Sequence, residues 1–193
     1  MANVVLFHHI QGLTPGLGAF AARLAGNEHT VHTPDLYGGR TFHSIDDGFA
    51  YMKSLDEAAV ERQVDDLVDA LPQPLVYAGV SWGVAHAQRL AQTRPDARGA
   101  LLFEACFRVG ADGFGPWPEG VPVQVHGMDQ DEFFALEGDL DAAREIVAAG
   151  PERGELFTYP GDQHLFVDES LPSHDADATA LAVMRARDFL GRF

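Results

Sequence analysis

The sequence predicts an α/β fold: a mostly parallel sheet of about six strands with helices on both faces, in one domain over residues 1–193. Three observations predict it. Short continuous apolar runs recur along the chain, as expected of strands buried on both faces. Segments with apolar residues at helical spacing alternate with those runs, the order that builds a parallel sheet. Finally, 193 residues with 46% hydrophobic and 22% charged composition suffice for one core, and this is not the composition of a disordered chain.

The elements follow in order. Residues 4–7 are an apolar run and form the first strand. Thr14-Pro15-Gly16 opens a helix that carries Leu17, Phe20, Ala21 and Leu24 at helical spacing. Residues 30–33 form a second strand, ended by Pro34. Residues 37–47 are polar and contain glycine, so they read as loop. Val60, Val64, Leu67, Val68 and Leu71 mark one face of a helix, which Pro72 and Pro74 close. Residues 75–78 are a third strand. A helix runs from Trp82 to about Thr93, before Pro95. Residues 100–103 are a fourth strand, and residues 110–122 are a Gly/Pro-rich surface loop or small cap. Residues 121–125 make a fifth strand, 132–149 a helix and 155–159 a sixth strand. A helix over 175–189 closes the chain, with Asp175 as its N-cap.

Composition excludes several function classes. Thirteen Lys and Arg against 29 Asp and Glu give a net charge of −16. Such a chain is repelled by phosphate backbones and by anionic membrane surfaces, so neither nucleic acid nor membrane is expected as a partner. Cys106 is the only cysteine, which leaves no intrachain disulfide and no cysteine-based metal site. No apolar run has the length of a membrane span. Residues 1–9 lack the basic start and cleavage site of a signal peptide, so a cytoplasmic location is the expectation. No cofactor and no metal are expected. The expected partner is a small-molecule substrate, and a homodimer is compatible with such a chain.

The chemistry centres on Gly79-Val80-Ser81-Trp82-Gly83, a G-x-S-x-G run between a strand and a helix. A serine there sits on a sharp turn above the sheet. Flanking glycines avoid collisions with the neighbouring strand and helix. The helix behind it turns its positive end toward a developing oxyanion. A serine needs a base that is itself oriented by an acid. The chain order for this arrangement is Ser, acid, His. His164 stands just beyond the sixth strand, in a loop at the same sheet edge. Asp129 and Asp131 both follow the fifth strand. One orients the imidazole, and the other is an N-cap or first-turn carboxylate.

From these residues the chain resembles the dienelactone hydrolases, a branch of the α/β-hydrolases, in a version with serine as nucleophile. The resemblance covers essentially the whole length. It rests on residues 34–37 (Pro-Asp-Leu-Tyr), 79–83, 127–131 and 159–164. It implies a compact α/β-hydrolase fold and favours Asp131 as the acid, because Asp131-Glu132 matches the family's acidic pair entering a helix. It also implies an oxyanion hole made by the backbone N–H groups of Trp82 and Ile10. There are departures. The family's best-known members use cysteine where Ser81 stands and glutamate where His9 stands. They carry an arginine shortly after the histidine, where this chain has Leu165, Phe166, Val167 and Asp168. Dienelactone is therefore not expected as substrate, and a neutral or less anionic ester is.

His9, with His8, ends the first strand, where ligands bind in open α/β sheets. His9, Tyr37 and Trp117 are assigned to the substrate pocket. Phe107, Phe114 and Trp117 surround the 110–122 loop, either as an apolar cap over substrate or as its anchors. Arg108 reads as solvated and Cys106 as a small core residue. Glu104 ends the fourth strand beside the site; if buried, it needs a partner, for which the histidines are candidates. The expected function is hydrolysis of a small carboxylic ester or lactone through an acyl-enzyme formed by Ser81, Asp131 and His164. A thioesterase or peptidase with the same triad is the alternative within enzymes. A non-catalytic small-molecule binding protein is the alternative outside them.

Overall fold

The computed structural model describes residues 1–111, 113–150 and 152–193. Six strands form one sheet: β1 (Asn3–Phe7), β2 (Thr30–His32), β3 (Leu75–Val80), β4 (Gly99–Phe103), β5 (Val123–Met128) and β6 (Gly154–Tyr159). Their order is β2-β1-β3-β4-β5-β6, and every neighbouring pair is parallel. The helices are α1 (Pro15–Ala25), α2 (Ile45–Met52), α3 (Glu57–Asp69), α4 (Trp82–Thr93), α5 (Asp139–Ala149) and α6 (Ala176–Leu190).

Alternation along the strands assigns the two faces, because successive side chains point to opposite sides. Val5, Phe7, Leu75, Tyr77, Leu102 and Val125 pack on α3, α4 and α5. Val4, Leu6, Val76, Ala78, Leu101 and Phe103 pack on α1 and α6. Both sides are dry, which is why the strands read as unbroken apolar runs. No helix of the described residues is long and apolar enough to cross a membrane.

The boundaries differ from the sequence expectation in three places. Residues 45–47, expected as the end of a loop, open the helix α2 (Ile45–Met52): Ser44 caps it by accepting from the Asp47 N–H at 3.1 Å. Residues 132–149 are not one helix. A π-helical turn (Glu132–Leu136) is followed by Gly138 at φ 110°, and only then does α5 begin. The fifth strand is Val123–Met128 rather than 121–125. Its buried His126 disguises it, satisfied by Tyr159 Oη at 2.8 Å and Gln124 Oε1 at 2.7 Å and stacked on Phe103. The caps on α1 and α6 match expectation, with Thr14 and Asp175 accepting from Leu17 and Ala178 amides.

Strand order turns around at β1, whose neighbours β2 and β3 lead away in opposite directions. A crevice therefore opens beyond the carboxyl ends of β1 and β3, the place where such sheets bind ligands. Ser81 follows β3 directly, and His8 to Ile10 follow β1.

Candidate active site

Ser81 stands between β3 and α4 with φ 50° and ψ −114°, a left-handed conformation that a serine adopts only under constraint. The turn is held by its neighbours. The Ser81 N–H donates to Phe103 O at 2.8 Å, and the Val84 N–H donates to Ser81 O at 2.9 Å. A Cβ on Gly79 would run into the Gly83 backbone, and one on Gly83 would run into the Phe7 and His8 carbonyls. The helix start is thus seated directly against the end of β1.

Three side chains from three loops meet here. Ser81 Oγ lies 2.8 Å from His164 Nε2. His164 Nδ1 lies 2.7 Å from Asp131 Oδ2. Asp131 is fully buried, and its Oδ1 accepts from the Phe133 N–H at 2.9 Å. Asp129 faces outward: its carboxylate accepts from the Gly161 N–H at 3.2 Å and secures the loop that carries His164. Of the two aspartates, the structure brings only Asp131 to the imidazole. The Phe133 ring lies against His164 at 4.7 Å between centroids.

Electrostatics favour a basic imidazole. Burial opposes charge on His164, but the hydrogen bond to Asp131 and the negative charges of Glu104, Asp131 and Asp139 outweigh it and raise its pKa. Glu104 is completely buried at the end of β4, with φ 64°. Burial pushes its carboxyl up to about 7, opposed by His164 and reinforced by Asp131. The Phe166 and Val167 amides favour its charge, yet neither oxygen has a hydrogen-bond partner of ordinary geometry among the described residues. Its expected histidine partner is thus an electrostatic neighbour rather than a bonded one.

Trp82 and Ile10 follow the carboxyl ends of β3 and β1. Trp82 is the first residue of α4, and neither N–H donates to an acceptor among the described residues. Ile10 is 2% exposed.

The three residues assigned to the pocket from sequence are held in packing and hydrogen-bond contacts. His9 is fully buried, and both ring nitrogens are engaged. The Gln11 N–H donates to Nδ1 at 3.2 Å, so Nε2 carries the proton and donates it to Asp168 Oδ2 at 2.8 Å. Tyr37 is a core aromatic, 3% exposed, packed on His8, Tyr51 and Trp82 at 4.7 to 5.0 Å. Trp117 lines a hollow of about 40 Å³ beside α5 and donates its indole N–H to Val121 O at 2.8 Å. It anchors its own loop and covers no part of the crevice. His8 is likewise structural. It donates to His9 O at 2.8 Å and accepts from the Leu36 N–H at 3.1 Å, and burial lowers its pKa to about 4. That contact is what the Pro-Asp-Leu-Tyr run supplies: a loop clamped onto the end of β1.

Sequence reasoning passed over Asp168. This carboxylate accepts from His9, Thr14 Oγ1, Ser170 Oγ (2.6 Å) and the Ser170 N–H (2.8 Å), and it is held down to about 2. Burial works against that ionisation, and the donors of His9, Ser170 and Thr14 overcome it. The only cue in the sequence is an aspartate closing the Leu165-Phe166-Val167 run, four residues after His164. Cys106 is buried, which pushes its thiol far up. Arg108 is exposed and reaches Glu145 at 3.4 Å. Among the described residues no group of three or more His, Cys, Asp or Glu is arranged to hold a metal ion.

Solved structures share this architecture. A Klebsiella pneumoniae protein that carries the name dienelactone hydrolase superimposes with TM-score 0.76 at 16% identity, over 100% of this chain and 88% of that one. The dienelactone hydrolase-like promiscuous phosphotriesterase P91, from metagenomic libraries, gives 0.77 at 18%, over 100% and 86%. The pyrethroid hydrolase PytH gives 0.62 at 16%, over 99% and 98%. No family model matches the chain, and comparison with curated proteins finds no match.

Proposed function

The chain has the α/β-hydrolase fold in its compact, dienelactone hydrolase-like form, and from that premise we propose that it is a serine hydrolase of small carboxylic esters or lactones. The observation that carries the proposal is the continuous relay from Ser81 Oγ through His164 to Asp131, at 2.8 and 2.7 Å. Such a relay is what an acyl-transfer nucleophile requires, with Asp131 fixing the imidazole tautomer. The names of P91 and PytH, which describe hydrolytic enzymes on this fold, lend support.

His164 Nε2 takes the hydroxyl proton as Ser81 Oγ bonds to the carbonyl carbon. The carbonyl oxygen becomes an oxyanion, held by the Trp82 and Ile10 N–H groups at the positive end of α4. His164 then gives its proton to the alkoxide as the C–O bond breaks, leaving an ester on Ser81. Water gives a proton to His164, attacks that ester and releases the acid, and the proton returns to Ser81. A raised pKa on His164 strengthens it as the base at the cost of a larger protonated fraction at any given pH.

Fluorophosphonate labelling followed by intact mass tests the reading. One adduct on Ser81 is expected, absent in Ser81→Ala, together with p-nitrophenyl acetate turnover that falls on the order of 10³-fold or more in that variant. Undiminished turnover in Ser81→Ala would refute the proposal.

A further inference from the structure

A cavity of about 410 Å³ runs along the flank of α4, within the size range of small-molecule sites, roughly 300–1,000 Å³. Trp82, Ala85, His86, Phe107 and Phe114 give it a largely apolar and aromatic wall, completed by the stretch that joins α2 to α3. Trp82, the residue that follows Ser81, stands on this wall. The loop wall is fixed: Gln88 exchanges two hydrogen bonds with the Phe107 backbone, at 2.7 and 2.8 Å, and Gln92 donates to Gly115 O at 2.6 Å. Phe107 and Phe114 meet edge to face at 5.7 Å.

Which half of an ester fits there follows from the direction of proton transfer. The leaving alkoxide takes its proton from His164 Nε2, so the alcohol half must lie against the imidazole. No wall of the cavity comes from the segments that carry Asp131 or His164. The acyl half is the one that can extend along α4. Charge narrows the class. Glu57, Glu61 and Lys53 stand on the wall, and the Arg89 guanidinium is already paired with Asp65 at 3.0 Å. The wall therefore sets two carboxylates against one ammonium, which disfavours an anionic acyl chain.

Resting on the ester-hydrolase reading, we propose that this cavity is the acyl subsite and takes an uncharged aryl or medium-chain acyl group. The test is a set of p-nitrophenyl esters (acetate, hexanoate and phenylacetate) assayed on the wild-type protein and on Ala85→Phe and Leu55→Phe, which fill the cavity from opposite walls. The hexanoate and phenylacetate esters are expected to exceed acetate at least tenfold in kcat/KM. Either filling variant is expected to cut that ratio about tenfold, mainly through KM, so one folded variant suffices. Acetate turnover with a flat profile across acyl groups, or a ratio untouched by filling, overturns the subsite while leaving the hydrolase reading in place. Absence of turnover on every ester overturns that reading itself.

Discussion

His9 Nε2 and Asp168 Oδ2 stand 159 residues apart in the chain and 2.8 Å apart in the fold, both fully buried. The pair joins the loop after β1, which carries the Ile10 amide, to the segment that follows His164. Thr14 and Ser170 add their hydroxyls to the same carboxylate, and Gly16 passes so close that a Cβ there would strike it. One buried charge with four donors thus sets the spacing of two loops that the proposed reaction uses.

Removing that charge should be felt first in stability. Asp168→Ala leaves His9, Thr14 and Ser170 without their acceptor and is expected to cost about 3–5 kcal/mol, read by urea denaturation at pH 7. Asp168 ionises more readily folded than unfolded, so its contribution is complete above about pH 4. It declines as pH falls toward about 2. Asp168→Asn should flatten that acid decline. Unchanged stability at pH 7 in Asp168→Ala would show that the knot is not what holds these loops.

Asp131 and Asp129 sit two residues apart and face different ways, so their variants should separate. Asp131→Asn is expected to lower kcat by about 10³–10⁴, because the imidazole loses the acceptor that sets its tautomer. Asp129→Asn loosens only the exposed Gly161 contact and should lower kcat by less than about tenfold. Steady-state rates on p-nitrophenyl acetate decide the matter, and equal losses would contradict the assignment.

Glu104 couples the site to pH. Its negative charge helps raise the His164 pKa, and only neutral His164 can take the Ser81 proton. Glu104→Gln should therefore move the acidic limb of the kcat/KM profile to lower pH. Stability gives the opposite view of the same group. A carboxyl held near 7 when folded and at its ordinary value when unfolded loses stability as pH rises between those values, about 3 kcal/mol in all. Melting temperatures from pH 5 to 8 should fall in the wild type and stay flatter in Glu104→Gln. An acidic limb that does not move would remove Glu104 from the electrostatics of the site.

The sequence by itself determined the sheet, the order of strands and helices, and the glycine-flanked serine. These are local consequences of apolar runs, helical spacing and the steric needs of a tight turn. It also put His164 and the two aspartates after strands whose carboxyl ends share an edge. Elements whose signal is weak were hidden. Only Gly48 of α2 is fully buried, and that eight-residue helix carries Asp46, Asp47 and Gly48 in its opening turn, which read as loop. Gly138 interrupts a pattern that reads as one helix, and His126 masks a central strand. The resemblance favoured Asp131 over Asp129, and tertiary structure turns Asp131 inward and holds His9, Tyr37 and Trp117 in packing contacts. It alone joined His9 to Asp168 and set Glu104 beside His164. The physical reason is the same in each case. A buried polar group is assigned its role by the partner that desolvation forces it to find, and that partner lies far away along the chain.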